Sequence, residues 1–354
     1  MSASKEKLKN KRVVRKIFYR LKGVLKKKAL LSAALKTINS FGVDIKGEDK
    51  AFVAQDMVRT FSKHGFGFDE YLCYSFHKLN EQERMEFVAD WEHLGYTCAL
   101  NNYKNADIFD NKWKTYSTYK DFYGRGVLFC DENTSVEDFA SFLGLSEKLI
   151  IKPLDSSCGR GIKIIETAGK ASDAKGYLEE LLGAYNGRFI IEELICQISE
   201  MAKLHPASVN TIRIPTIRMD DEVKIVHPFM RVGQYGNFVD NAGAGGIICC
   251  VEVESGKIYA AADEKAKTFH THPNTNEQLV GFTVPHWEEA KEFVRKLAHI
   301  IPENRYTGWD VALTEKGWVL VEANRRGQFV WQLASQEGFR KEINETLKKL
   351  KKKY

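Results

Sequence analysis

Residues 308–328 read GWDVALTEKGWVLVEANRRGQ, two alternating apolar runs separated by Glu-Lys-Gly. Such a stretch folds well as an antiparallel hairpin with one face in a core. Positions two apart on a strand share a face, so Glu322 and Asn324 point one way while Val321 and Ala323 point into the core. A three-residue loop over 315–317, with Gly317 left-handed, pairs Thr314 with Trp318 and sets Asp310 opposite Glu322. Asp310, Glu322 and Asn324 then meet as three oxygen ligands on one hairpin.

The rest of the chain supplies partners for that hairpin. From Asp107 onward, short β-rich runs alternate with helical patterns: GVLFC, KLIIKP, GIKIIE, RFIIEEL, TIRIPTIR, VKIVHPFMRVG, GIICCVEV. Hairpin-like connections predominate over crossovers, which predicts an α+β fold with antiparallel sheets. Residues 29–106 read as a mostly helical accessory lobe. Within it, NEQERMEFVADWEHLGY predicts one capped helix, with Asn80 as cap, Glu83 closing the capping box, and Met85, Phe87, Val88 and Trp91 as the apolar face. A length of 354 residues with 44% apolar composition and 7 prolines allows two or three lobes.

Residues 148–166, KLIIKPLDSSCGRGIKIIE, run a strand into Lys152, then a small-residue loop over 155–161, then a second strand. Gly159 and Gly161 let backbone amides approach an anion, and Lys152 adds a positive charge at the loop's base. The string reads either as a phosphate cradle or as an ordinary glycine-bearing hairpin turn; no helix follows it, so it is not a P-loop. RFIIEELI places Glu192 and Glu193 at a strand end where backbone groups beyond could meet a purine edge, or where a plain edge strand stops. SVNTIRIPTI puts Asn210 and Arg213 on a strand of buried character, where an arginine needs an anion or solvent. A second glycine loop spans 243–246.

Base lysine, glycine loop, Glu-Glu-apolar hinge, strand arginine, second glycine loop and Asp followed by Glu-x-Asn occur in an order that resembles the ATP-grasp superfamily. The resemblance covers about residues 107–335. It is closest to the sugar-transfer-associated ATP-grasp proteins of surface-polysaccharide loci, with D-alanine–D-alanine ligase and the ribosomal-protein glutamate ligases as more distant relatives. It implies two α+β lobes sandwiching ATP, an N-terminal subdomain over 107–200 and a C-terminal one with the metal site over 201–354. Lys152 would bind ATP phosphates under a lid of Ser156, Ser157, Gly159 and Gly161, and Lys112 would be the earlier ATP lysine, with Lys114 competing. Glu192, Glu193, Leu194 and Ile195 would form the adenine hinge; Gln197 and Glu200 compete for the ribose, and Asn210 joins the nucleotide-binding set. Asp310, Glu322 and Asn324 would hold one or two Mg²⁺ ions.

The implied chemistry is attack of a carboxylate on the γ-phosphate of ATP, giving an acyl-phosphate, which an amine then converts to an amide. Cations are needed where charge develops, and Arg213, Arg231 and Arg325 are the candidates. The expected acceptors are an amino acid and a small-molecule or lipid-linked saccharide; the alternatives are a phosphotransferase acting on a hydroxyl and a nucleotide-binding module without turnover. His270 and His272 in FHTHP would share a strand face, but without a third ligand they read as loop or surface residues.

Charge is unevenly spread. The chain carries +6, yet residues 1–28 hold twelve Lys or Arg against Glu6, a net of +11, leaving −5 for the remainder. Val14, Ile17, Phe18, Leu21, Val24 and Leu25 recur at helical spacing among those cations. This basic amphipathic helix would lie on an anionic membrane surface or pack its stripe on the protein itself; nucleic acid is the weakest of the readings. No apolar run approaches the roughly 20 residues that span a bilayer, and the N-terminus lacks the apolar core of a secretory signal, so a cytoplasmic protein is expected, in peripheral contact with the inner membrane face if the helix binds there. Seven cysteines without C-x-x-C or zinc-like spacing should be free thiols.

Overall fold

The structure is a computed structural model that describes residues 12–41, 45, 49–156, 160–235, 245–352 and 354. The first elements are helices: α1 (Arg12–Leu25), α2 (Lys27–Phe41) and α3 (Lys50–His64). Local chemistry sets the limits of α3. The Asp49 carboxylate accepts from the Ala51 N–H at 2.8 Å, and Gly65, at φ +82°, ends the helix in the left-handed region.

The stretch expected as one helix from Asn80 is two. The Asn80 and Glu83 capping box forms, but the helix stops at Arg84, and α4 (Asp90–Leu100) begins after a break. Long-range partners claim the backbone between them. Arg340 donates to the carbonyls of Met85 (2.6 Å) and Phe87 (2.7 Å), while the Gln332 amide both accepts from and donates to Val88. Carbonyls committed to distant side chains no longer need an i→i+4 ladder.

Two antiparallel sheets follow. The smaller has the order β1 (Val127–Cys130), β4 (Phe189–Glu193), β2 (Lys148–Lys152), β3 (Lys163–Glu166). Phe139, Tyr177 and Leu181, from the helices Val136–Leu143 and Ala174–Ala184, close a core on Leu149, Ile151, Ile165 and Ile191. The larger runs β11 (Gly317–Asn324), β10 (Tyr306–Thr314), β5 (Ile212–Arg218), β7 (Phe229–Val232), β8 (Ile247–Val251), β9 (Ile258–Ala262), with β6 (Val223–Ile225) paired to β5. The fold is thus α+β with antiparallel sheets and an N-terminal helical region.

Helices cover both faces of the larger sheet. Ile212, Ile214, Trp309 and Val311 meet the helix Trp287–Ile300 on one side. On the other, Ile217, Phe229, Ile248 and Tyr306 share one continuous core with the N-terminal helices and with Trp331 and Phe339. No helix among the described residues is long and apolar enough to cross a membrane.

The β10–β11 hairpin differs from expectation in its turn yet delivers the expected pairing. Thr314 pairs with Gly317, not Trp318, and Gly317 sits at φ +104°. That one-residue offset alone would put Glu322 on the wrong face. A bulge restores it: Val311 pairs with Leu320 but Asp310 with Glu322, so Val321 is the extra residue.

Candidate active site

Arg213, Asp310 and Glu322 form a row across three neighbouring strands, because Asp310 on β10 pairs with Arg213 on β5 and with Glu322 on β11. Arg213 and Asp310 are 2% and 1% exposed, which would be costly for either charge alone. Arg213 grips Asp310 with two nitrogens, one at 2.7 Å, and Arg231 reaches Asp310 Oδ2 at 2.8 Å from β7. Burial opposes ionisation of Asp310, but the two guanidiniums outweigh it and hold its pKa below the ordinary carboxylate range. Gly308 makes room for this grip, since a Cβ there would lie 2.8 Å from Arg213 Cδ. Arg213 Nη1 is buried and has no hydrogen-bond partner among the described residues.

A second buried cluster sits on the smaller sheet. Glu192 Oε2 accepts from Lys152 Nζ at 2.9 Å and from Arg125 at 2.8 and 2.9 Å. Burial is again the largest influence on the Glu192 pKa and pushes it up, but Lys152 and Arg125 together bring it below the usual value. Arg125 also donates to the Leu320 carbonyl at 2.7 Å, tying this cluster to the hairpin beside its bulge. Sequence reasoning missed Arg125. Its signal was faint: one arginine between two glycines in YGRGVLFC, just before an apolar strand. The Glu192 side chain acts as counterion to Lys152, whereas Glu193 turns back to accept from Gly126 N–H at 2.6 Å.

Between the strand end and the hairpin turn lies a cavity of about 230 Å³ lined by Glu193, Leu194, Ile195, Cys196, Lys316 and Val319 among others. Beyond it the chain crosses to the larger sheet, where Ile198 N–H donates to Leu313 O and Gln197 bridges Thr314. Lys112 stands at the first turn of the helix Lys112–Tyr119, with Nζ 2.5 Å from Ser156 O and 4.0 Å from Glu322 Oε1. Lys114, its competitor, pairs instead with Asp107 on the surface at 2.7 Å. Gly161 has φ +74°, with Pro153 2.7 Å from where a Cβ would be. Ser157 and Gly159 lie outside the described residues, as do Gly243 and Ala244 of the second glycine loop.

Other candidates are occupied elsewhere. Gln197 donates to Ser208 O at 2.8 Å and accepts from Asn210 N–H at 2.9 Å, while the Asn210 amide donates to Met201 O at 2.8 Å. The two amides fasten the 197–210 connection to itself. Glu200 is exposed and bonded to Ser199. Arg325 makes a two-pronged pair with Asp110 at 2.8 Å. His272 corrects the surface reading: it is buried, with Nε2 on the Gly233 carbonyl at 2.7 Å, while His270 is exposed, so the two do not share a face.

The residues fit the groups that the sequence pattern implies. Asp310, Glu322 and Asn324 are an oxygen donor set of the kind Mg²⁺ takes. Asn324 donates Nδ2 to Asp310 at 3.3 Å, which leaves its amide oxygen for another partner. No group of three His, Cys, Asp or Glu among the described residues could hold a metal, so an ion here would depend on that amide as well as the two carboxylates. The orphaned Arg213 Nη1 is a donor that a phosphate oxygen would satisfy.

Comparison with known proteins bears on the same residues. No curated protein matches the chain. Similar solved structures include D-alanyl-alanine synthetase A of Vibrio cholerae O1 biovar eltor, at 16% identity over 61% of this chain and 55% of that one, with a TM-score of 0.38. D-alanine–D-alanine ligase of Helicobacter pylori gives 14% identity, 71% and 62% coverage, and 0.40. N5-carboxyaminoimidazole synthetase of Staphylococcus aureus, complexed with ADP, gives 10% identity, 65% and 48% coverage, and 0.40. The chain spans about half to three-fifths of the length of these proteins. A family model described as sugar-transfer-associated ATP-grasp matches residues 93–348, a span that holds Lys112, both buried charge clusters and the hairpin. With nearly three-quarters of its length accounted for in this way, the chain belongs to the sugar-transfer-associated ATP-grasp family.

Proposed function

We propose that the protein is an ATP-dependent carboxylate–amine ligase. The observation that carries this reading is the row of Arg213, Asp310 and Glu322 with Lys112 beside it: two cations and two carboxylates where phosphate charge must be held. ATP would lie between the sheets, its adenine in the 230 Å³ cavity against Glu193 and Ile195, and its phosphates toward Lys112 and Lys152. The substrate carboxylate oxygen attacks the γ-phosphorus, the bond to the bridging oxygen breaks, and ADP leaves with the electron pair. An amine nitrogen then attacks the acyl carbon, phosphate departs, and the nitrogen gives up a proton. Arg213 and Arg231 stabilise negative charge that builds on the transferring phosphoryl group, and the buried Arg213 Nη1 has a hydrogen bond left to give. Glu322, Asn324 and Asp310 would hold Mg²⁺, which when bound supplies positive charge to the phosphate oxygens.

A cavity of about 550 Å³ supports an amine as second substrate. Its lining includes Asp69, Glu70, Asp90, His93, Glu264 and Lys265, and also Gln328, four residues past Asn324. Burial, with Arg326 and Arg213 nearby, pushes the His93 pKa down to about 3 and keeps the ring neutral. Burial raises the Glu70 pKa to about 8 and keeps that side chain protonated near neutral pH, so Asp69, Asp90 and Glu264 around a neutral imidazole are what favour a cationic amine such as that of an amino acid. The family's association with sugar transfer points to a saccharide, free or lipid-linked, as the other component.

The test is a screen of amino acids paired with sugar acids, following ADP and free phosphate together. A ligase releases both and needs two co-substrates. ADP formation with a hydroxyl compound and no free phosphate would make the protein a phosphotransferase instead.

A further inference from the structure

The two ways of placing the N-terminal apolar stripe are separated by which face of α1 is covered. The inner face is Tyr19 and Gly23. Tyr19 packs against Phe61 and Trp91 at ring separations of 5.1 and 5.7 Å, and a Cβ on Gly23 would overlap Ser62, so α1 crosses α3 in close contact there. The stripe is on the other side. Val14, Ile17, Phe18, Leu21, Val24 and Leu25 are exposed, from 47% at Val14 to 79% at Leu25. Their spacing of i, i+3, i+4, i+7, i+10 and i+11 makes one continuous apolar ribbon facing solvent.

Cations edge that ribbon on both sides. Lys16, Arg20 and Lys27 fall along one edge at helical spacing, and Arg15, Lys22 and Lys26 along the other. No acidic residue occurs between Glu6 and Asp44. Phe52, 68% exposed on α3, extends the apolar surface across a groove of about 530 Å³ lined by Arg20, Val24, Lys27 and Arg59. The chain's other basic end comes to the same helix: a Cβ on Gly95 of α4 would overlap the Tyr354 ring, one turn from the Trp91 that packs on Tyr19.

We propose that this face is a membrane-docking surface, in which α1 lies in the headgroup region of an anionic bilayer with its apolar ribbon down and its flanking lysines and arginines on lipid phosphates. Charge complementarity selects this occupant. A symmetric contact with a second copy of this face would set these cations against each other, and a nucleic acid backbone has no apolar partner for six aliphatic and aromatic side chains. A bilayer supplies both halves of the match. The surface does not depend on the ligase reading, since α1 lies outside the two charge clusters.

The experiment is co-sedimentation of the full-length protein with neutral phosphatidylcholine vesicles and with vesicles containing about 30% phosphatidylglycerol, at about 0.1 M and 1 M salt. Wild type should bind the anionic vesicles at low salt and be largely released at high salt, where the Debye length falls to about 3 Å. Changing Leu21, Val24 and Leu25 together to Glu should cut binding at least about tenfold with an unchanged melting temperature, since all three positions are solvent-exposed. Phe18→Trp should show blue-shifted emission on anionic vesicles only. Equal binding by the triple variant, absence of wild-type binding, or a wild-type dimer in light scattering that the triple variant abolishes would each overturn the proposal.

Discussion

Asp310 and Glu322 face each other across one hairpin, yet they differ in what their charges do for the fold. Asp310 is the buried carboxylate that pairs with both Arg213 and Arg231, whereas the Glu322 side chain is 41% exposed with Lys112 at 4.0 Å. Asp310→Asn should therefore leave buried guanidinium charge uncompensated and cost about 3–5 kcal/mol in urea unfolding. Glu322→Gln should abolish turnover, a loss of at least about 100-fold in kcat, while shifting stability by no more than about 0.5 kcal/mol. Full activity in Glu322→Gln would remove that carboxylate from the chemistry. Arg213 on a buried strand was legible as needing an anion; that Arg231 shares the same carboxylate was not, because the partnership spans three strands.

At the scale of elements, the hairpin carries the site through two offsets of one residue that cancel. Its neighbour β5 tolerates the Arg213 side chain only because Gly308 lacks a Cβ. Gly308→Ala would press on a side chain pinned at both ends, and should cost about 1–3 kcal/mol with a weaker ATP interaction. An unchanged melting curve for that variant would show that Arg213 has more room than its neighbours suggest. The last long helix, Arg340–Lys349, is fastened by Glu342, which accepts from Lys224 at 2.5 Å and pairs with His227 at 2.8 Å. Burial pushes the Glu342 pKa up, but His227 and Lys224 prevail and bring it to about 2. An unfolded glutamate titrates near about 4.3, so the stabilisation from this carboxylate is complete above that pH and disappears as pH falls toward 2. Against Glu342→Gln, wild type should show a stability advantage near about pH 5 that shrinks between about pH 4 and 2. A gap that stays constant down to pH 2 would contradict the assignment.

Over the whole molecule, Arg125 joins the parts. It reaches Glu192 on the smaller sheet and the Leu320 carbonyl on the larger one, so it couples the Lys152 cluster to the hairpin with Asp310 and Glu322. Arg125→Met leaves Glu192 paired with Lys152 but removes one of the contacts between the sheets. The expected result is a raised KM for ATP and faster proteolysis of the 194–198 connection, at a folding cost smaller than that of Asp310→Asn. Unchanged KM and unchanged proteolysis would show that the sheets are held by other contacts.

Periodicity and residue type were enough to mark the antiparallel strands, the shared face of Glu322 and Asn324 and the basic stripe of α1. Each depends on geometry within a few residues, where a period of 2 or 3.6 leaves little choice. Tertiary structure decided the rest. Whether Glu322 faced Asp310 depended on a bulge at Val321 that no local pattern announces. Gln332 and Arg340, more than 240 residues away in sequence, broke the expected helix after Arg84. Glu192 took Arg125 and Lys152 as partners from 67 and 40 residues away, and Tyr19 with Gly23 claimed the inner face of α1, leaving the stripe to solvent. Which buried charges neutralise each other, and which apolar face finds a neighbour, is set by contacts between distant segments, because desolvation makes each charge take the partner that folding brings near.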